Sequence, residues 1–251
     1  MQPDVEAVRL SFTAVGAGEP ILLVHGWGGD GRSWDPVEFA GRRVVTVDLR
    51  GHGRSPVPAR GYRPQDYACD LAALIEALDL GPVVAVGHSM GGQIVVRLAM
   101  DRPDLVRAVV AIDPAYGADD VEAASFQQRL TDLRRDGAAA AVRQLGELTD
   151  GVRDRLLRTP GHVLAESYAG MYTDPDAIGA RPAAAKALAS LDRPLLCIRP
   201  TPSMATWDLT NALRPGSRVV LWHGAGHFLH HERPEAFERL VSSWLSSLER
   251  L

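Results

Sequence analysis

The sequence predicts an α/β fold: a mostly parallel central sheet flanked by helices, with a helical insertion. Three observations predict it. Short β-branched runs without polar alternation recur along the chain, which suits strands buried on both faces of a parallel sheet. Amphipathic stretches alternate with these runs, as crossover helices require. One long stretch, 115–190, shows helical character and no convincing strand. The 251 residues suffice for one such domain with a sizeable core.

The apolar runs follow in order. Ile21–Val24 ends at His25-Gly26, Val44–Val47 at Asp48, and Val83–Val86 at Gly87. Val106–Ile112 ends at Asp113-Pro114; Leu195–Ile198 and Val219–Trp222 complete the set. Between them, Tyr67, Leu71, Leu74, Ile75 and Leu78 share one helical face. So do Phe237, Leu240, Val241, Trp244, Leu245 and Leu248, in a last helix that Pro234 helps to start. Residues 1–114 and 191–251 are assigned to the core domain, and 115–190 to a helical cap inserted in it. That insertion is rich in Ala, Arg, Leu and Asp and is punctuated at Gly151, Pro160-Gly161 and Pro175. It stands where it would cover the strand ends at which α/β sheets bind ligands.

Composition narrows the function classes. The net charge of -4 gives no reason to expect nucleic acid or an anionic membrane as partner. Lys186 is the only lysine, a bias we attribute to coding rather than function. No apolar run reaches the length of a membrane span. The opening Met1–Glu6 has no basic segment followed by an apolar one, so no secretory signal and a cytoplasmic location are expected. Cys69 and Cys197 lie far apart and in no metal-ligand spacing, and are read as reduced core thiols.

The most specific signal is Gly87-His88-Ser89-Met90-Gly91-Gly92. It matches G-x-S-x-G, directly follows a predicted strand and precedes an apolar helix (Ile94, Val95, Leu98), the context this motif requires. So tight a strand-to-helix turn needs glycine beside it and leaves the serine exposed at the top of the sheet. The Met90 N–H lies at the start of the new helix, where a free donor can stabilise an oxyanion. A serine hydroxyl is a weak nucleophile at neutral pH and needs a base beside it. Among eight histidines, His227 in Gly224-Ala225-Gly226-His227-Phe228 follows the last predicted strand, with small residues that let its loop reach across the sheet.

On these motifs the chain resembles the α/β-hydrolase family over nearly its whole length. His25-Gly26-Trp27-Gly28-Gly29 is similar to that family's oxyanion loop, which implies Trp27 N–H as a second donor. Asp48-Leu49-Arg50-Gly51-His52-Gly53-Arg54-Ser55 resembles its D-x-R-G-H-G-x-S turn, which implies a structural His52; His88 is likewise read as packing rather than reacting. The order His227 to Glu235 resembles the catalytic-histidine loop, and His230 and His231 are expected to face the following helix or solvent. The acid departs from the commonest pattern. Arg199-Pro200-Thr201-Pro202-Ser203-Met204, where members usually carry it, has no Asp or Glu, and the next acid is Asp208. A second family arrangement places the acid at the end of the strand after the nucleophile helix, here Asp113. We favour Asp113 over Asp208. Members with this placement include zearalenone-type lactonases, which use serine, and haloalkane dehalogenases, which need an Asp nucleophile that this chain lacks.

The resemblance implies a serine hydrolase with Ser89 as nucleophile, His227 as base and Asp113 orienting it, cleaving a carboxylic ester or lactone with no metal or organic cofactor. Trp27, Trp207, Tyr168, Met171, Tyr172 and Phe228 are the candidate pocket residues, with the Met90 side chain beside them. Their apolar character favours a fairly hydrophobic small molecule. A thioesterase, perhydrolase or C–C bond hydrolase would use the same groups, and a non-hydrolytic receptor or cyclase could occupy the same fold.

Overall fold

The computed structural model describes residues 6–211 and 214–250. Most of the opening segment in which no secretory signal was read, 1–5, lies outside the described residues. Seven strands form one sheet: β1 Ser11–Val15, β2 Pro20–Val24, β3 Arg43–Asp48, β4 Val83–His88, β5 Val106–Ile112, β6 Leu195–Arg199 and β7 Arg218–Leu221. Their order is β1-β3-β2-β4-β5-β6-β7, and only β1 runs antiparallel, against β3. From β2 the chain first builds outward to β3, then returns to place β4 on the other side of β2. The point where that direction reverses lies between the C-terminal ends of β2 and β4, where open α/β sheets bind ligands.

Each β-branched run is covered on both faces. Leu22, Val24, Val45, Val47, Val83 and Ala85 pack with Leu71, Ile75, Ile94 and Leu98 on one side. These partners come from α1 (Pro64–Ala77) and α2 (Met90–Asp101). Ile21, Leu23, Val84, Val86, Val110 and Ile198 point the other way, onto Trp34 and onto Phe237, Val241 and Trp244. Alternate residues therefore enter opposite cores, so neither face of the central strands needs a polar position.

Six helices connect β5 to β6: α3 Asp120–Ala123, α4 Phe126–Asp136, α5 Ala138–Leu145, α6 Asp150–Arg158, α7 Gly161–Tyr172 and α8 Arg181–Ser190. They fall within 115–190, where among the described residues β pairing is confined to one bridge, Ala118 with Ala180. Leu130, Leu133, Ala141, Leu156, Leu164 and Tyr168 give this part its own apolar cluster. The chain closes with α9 Pro202–Thr210, α10 Leu229–Glu232 and α11 Pro234–Leu248.

Three features depart from the sequence reading. Strand β1 was not expected: Ser11 to Val15 is a half-exposed edge without an apolar run, and it forms because β3 offers an open edge. Strand β7 was expected to be buried on both faces, yet Arg218 and Leu221 are exposed, because it is the opposite edge and has β6 alone as neighbour. Cys197 is a buried free thiol as expected, whereas Cys69, also free, is only half-buried.

Between β3 and α1 the turn after Asp48 is a dense polar knot. Asp48 accepts from the Gly31 N–H at 2.8 Å and from Arg54 N–H and Nε at 3.0 and 2.9 Å. Arg50 is fully buried, donating from Nε and Nη2 to the two oxygens of Asp70, each at 2.6 Å, and to the carbonyls of Gly61 and Glu6. Asp70→Ala would leave this guanidinium buried without a counter-charge. It is expected to lower stability by about 3–5 kcal/mol, measured as the shift of the urea unfolding midpoint with the slope unchanged.

Five histidines are held neutral by the fold. Burial lowers His25 and His88, and pushes His52 down to about 3 with help from neighbouring His25. Burial also lowers His230 and His231. The unfolded chain binds protons at these sites near pH 6.5, while the native state resists them. Stability is therefore complete above that pH and falls as pH drops below it, by about 1.4 kcal/mol per pH unit for each histidine that stays neutral. Urea midpoints measured from pH 7.5 to pH 5 should decline steeply below about pH 6.5; a flat profile would contradict the burial of these rings.

Candidate active site

The site is built where β4 meets α2. Ser89 sits at the junction with φ +53° and ψ -115°, a left-handed conformation that a residue with a Cβ adopts only under constraint. The constraint is visible: Ser89 N–H donates to the Ile112 carbonyl at 2.9 Å, and its own carbonyl accepts from Gly92 N–H at 2.9 Å and Ala115 N–H at 3.0 Å. Gly87 is required because any Cβ there would run into the Gly91 carbonyl. The Met90 N–H opens α2 and so has no acceptor within the helix.

The loop after β2 lies against this bend. A Cβ on Gly26 would stand only 3.2 Å from the Ser89 Cβ, so the residue before Trp27 must be small. Trp27 N–H has no acceptor among the described residues. Its indole Nε1–H donates to Ser167 Oγ at 2.9 Å and Leu164 O at 3.2 Å, tying the loop to α7. Beneath the loop, His52 Nε2 accepts from Gly28 N–H at 3.3 Å and its Nδ1–H donates to the Arg50 carbonyl at 2.9 Å. His25 similarly accepts from Leu49 N–H at 3.0 Å and donates to its neighbour Gly26. These two histidines hold backbone together and have no free nitrogen left for proton transfer.

His227 and Asp113 meet across the sheet end. Asp113 follows β5 with φ +37°, anchored by donation from its N–H to the Ile198 carbonyl at 2.8 Å. Its Oδ2 accepts the Nδ1–H of His227 at 2.6 Å. A carboxylate can only accept, so the proton resides on Nδ1 and Nε2 is left with its lone pair. His227 and Ser89 line the same cavity, and Ser89 Oγ is not engaged by any hydrogen bond among the described residues. His88 Nε2–H donates to the carbonyl of His227 at 2.9 Å, and its ring packs 4.6 Å from both the His227 and His230 rings. His88 thus holds the His227 loop in place, a role its position beside the serine did not reveal.

Asp208 lies elsewhere. It is buried, and accepts from Arg199 Nε at 2.7 Å and from the Cys197 thiol at 3.3 Å. Arg199, itself buried, donates onward to the carbonyls of Pro114 at 2.7 Å and Tyr116 at 3.1 Å, and reaches Asp113 Oδ1 at 3.4 Å. Its guanidinium lies over the Tyr116 ring, 5.0 Å from the centroid. The Arg199–Asp208 pair therefore braces the strand end that carries Asp113.

Of the candidate pocket residues, Trp27, Tyr168, Met171, Tyr172 and Phe228 line the cavity. Trp207 is not among its lining residues: α9 directs the indole onto Tyr116 and against Gly117, at the base of the insertion. The Met90 side chain is buried in the core. His230 does not reach solvent but is enclosed between Trp34, His88 and Phe237, and His231 bonds to the Ser33 carbonyl. The lining is mostly apolar, as expected, but it also carries charged and polar side chains. Arg129, Gln144 and Arg155, from α4, α5 and α6, contribute to it. Helical periodicity could not show which face of each short helix turns inward.

Comparison with known proteins agrees with this architecture. The model of the alpha/beta hydrolase family matches residues 21–240. A 2-(acetamidomethylene)succinate hydrolase of Mesorhizobium japonicum is 31% identical over 97% of this chain and 94% of its own length. The thermophilic esterase from Thermogutta terrifontis, solved with malate bound, superposes with a TM-score of 0.78 at 26% identity, covering 95% of this chain and 93% of the esterase. The enol-lactonase from Burkholderia xenovorans shares the fold, with a TM-score of 0.78 at 23% identity over 94% of this chain and 96% of its own. With a family match across most of its length, the chain belongs to the alpha/beta hydrolase family and is a hydrolase.

Proposed function

We propose that this hydrolase cleaves a carboxylic ester or lactone of a small molecule through an acyl-enzyme on Ser89. The observation that carries the reading is the constrained Ser89 bend opening into a cavity shared with His227, whose Nδ1–H is held by Asp113 at 2.6 Å. The similarity to an esterase and to a succinate hydrolase supports hydrolysis of a small acyl compound.

In this mechanism His227 Nε2 takes the Ser89 proton as Oγ bonds to the carbonyl carbon. The negative charge moves to the carbonyl oxygen and is received by the N–H groups of Trp27 and Met90, worth about 2.7–4 kcal/mol for each donor. Collapse expels the alkoxide, which takes the proton from His227; in a lactone it stays tethered to the acyl group. Water then attacks the acyl-enzyme, gives a proton to His227, and the returning proton frees Ser89. Asp113 keeps the imidazole in the tautomer that accepts at Nε2 and stabilises the imidazolium. The insertion acts as a cap over the cavity, and Trp27 bonded to α7 couples it to the oxyanion loop.

Two experiments test the assignment. A fluorophosphonate should label the protein stoichiometrically, with the adduct on Ser89 by mass spectrometry and none in Ser89→Ala; an unlabelled native enzyme would count against the acyl-enzyme. Asp113→Asn should reduce kcat about 10³–10⁴-fold with little change in unfolding midpoint. Asp208→Asn should instead lower stability, by roughly 3 kcal/mol as Arg199 loses the nearer of its two counter-charges, while kcat falls less than about tenfold. The reverse ranking would transfer the acid role to Asp208.

A further inference from the structure

The cavity beside Ser89 carries a charge that the acyl-enzyme chemistry does not use. Its lining includes two arginines, Arg129 of α4 and Arg155 of α6, and no aspartate or glutamate. Arg155 has only 16% of its side chain exposed, and its nearest carboxylate, Asp30, stands 3.9 Å away. Asp30 is already engaged by Arg32 Nη2 at 2.5 Å. Arg129 has no carboxylate within ion-pair distance among the described residues. It stands beside Tyr168, opposing the rise to about 12 that burial imposes on that hydroxyl. Two partly dehydrated guanidinium groups, Arg129 with no carboxylate in reach among the described residues and Arg155 sharing a distant Asp30 with Arg32, face a cavity whose wall also carries Trp27, Tyr168, Tyr172 and Phe228. Such groups gain most from an anion that restores their lost hydrogen bonds, and a carboxylate matches the guanidinium fork.

We infer that the cavity takes a substrate bearing a free carboxylate, bound by Arg129 and Arg155 while the scissile carbonyl lies at Ser89. The position of that carbonyl rests on the acyl-enzyme reading above; the anion site itself does not. Trp27, Tyr172 and Phe228 would enclose the carbon skeleton between the two ends. Hydrolysis of such a substrate gives products with one more carboxylate than the substrate carried, so a diacid or an acid plus a carboxylated alcohol leaves the site. This replaces a neutral, hydrophobic substrate with a short amphiphilic anion.

The test separates binding from turnover. Glutarate titrated into the native enzyme, followed by calorimetry, should bind, and glutaramide should not. Arg129→Met and Arg155→Met should each weaken glutarate binding at least tenfold, with Arg155→Lys recovering part of it. Inorganic phosphate, which has no chain for the aromatic wall, should bind at least tenfold more weakly than glutarate. For turnover, mono-p-nitrophenyl glutarate is compared with p-nitrophenyl hexanoate, and 4-carboxyphenyl acetate with phenyl acetate. In at least one pair the anionic ester should have a kcat/KM tenfold or more above its neutral partner. That ratio should collapse in both methionine variants and shrink with added salt. No glutarate binding, equal binding of glutaramide, phosphate binding as tightly as glutarate, or no anionic preference in either pair would overturn the inference. Glutarate binding that depends on the arginines, without fluorophosphonate labelling of Ser89, would instead keep the anion site and remove the acyl-enzyme reading.

Discussion

The backbone bend at Ser89 is the constraint on which the rest of the site depends. An L-residue at φ +53° costs of order 1–3 kcal/mol, and the fold holds it there by hydrogen bonds on both sides. The Ser89 N–H reaches across to β5, and its carbonyl is shared by Gly92 and Ala115. The bend is thereby locked to the neighbouring strand rather than to its own turn alone. The same strand end then supplies Asp113, itself in a left-handed conformation and anchored to the next strand through the Ile198 carbonyl. Two strained residues at adjacent strand ends, each pinned by the next strand over, give the site its rigidity.

Around that bend the protein uses buried polar groups as fasteners. His52 and His25 tie the loop carrying Trp27 to the turn after β3, and His88 ties the His227 loop to β4. Arg199 does the same for the segment after Asp113, taking the carbonyls of Pro114 and Tyr116 and the carboxylate of Asp208. Each of these residues stays in one protonation state near neutral pH because burial disfavours the alternative, or because guanidinium does not titrate there. His227, by contrast, is half-exposed, and its Nε2 has no hydrogen-bond partner among the described residues.

The insertion adds what the geometry of the sheet cannot supply. Its helices have their own apolar cluster, yet the cavity they close over Ser89 mixes aromatic walls with guanidinium groups. The indole of Trp27 joins the two parts, with its loop against Ser89 and its side chain on α7. In the proposed function, chemistry and recognition are thus carried by different layers: the sheet end supplies Ser89, Asp113 and His227, and the insertion supplies much of the cavity wall.

The sequence by itself determined the α/β class and the family, because runs such as Val83–Val86 followed by Gly87-His88-Ser89 tie a local pattern to one kind of turn. It also located the helical stretch between β5 and β6, since helices announce themselves by short-range periodicity. It did not determine the edges: β1 has no apolar run and exists only because β3 offers it partners, and β7 looks like an interior strand until its single neighbour is seen. Nor could it decide between Asp113 and Asp208, which both precede or follow plausible strand ends. The tertiary structure puts Asp113 on His227 and Asp208 on Arg199, because that choice depends on which side chain crosses a strand end and not on spacing along the chain. The same reason hid Arg129 and Arg155 and misplaced Trp207: the inward face of a short helix is chosen by its packing partners, and those are contributed by distant parts of the sequence.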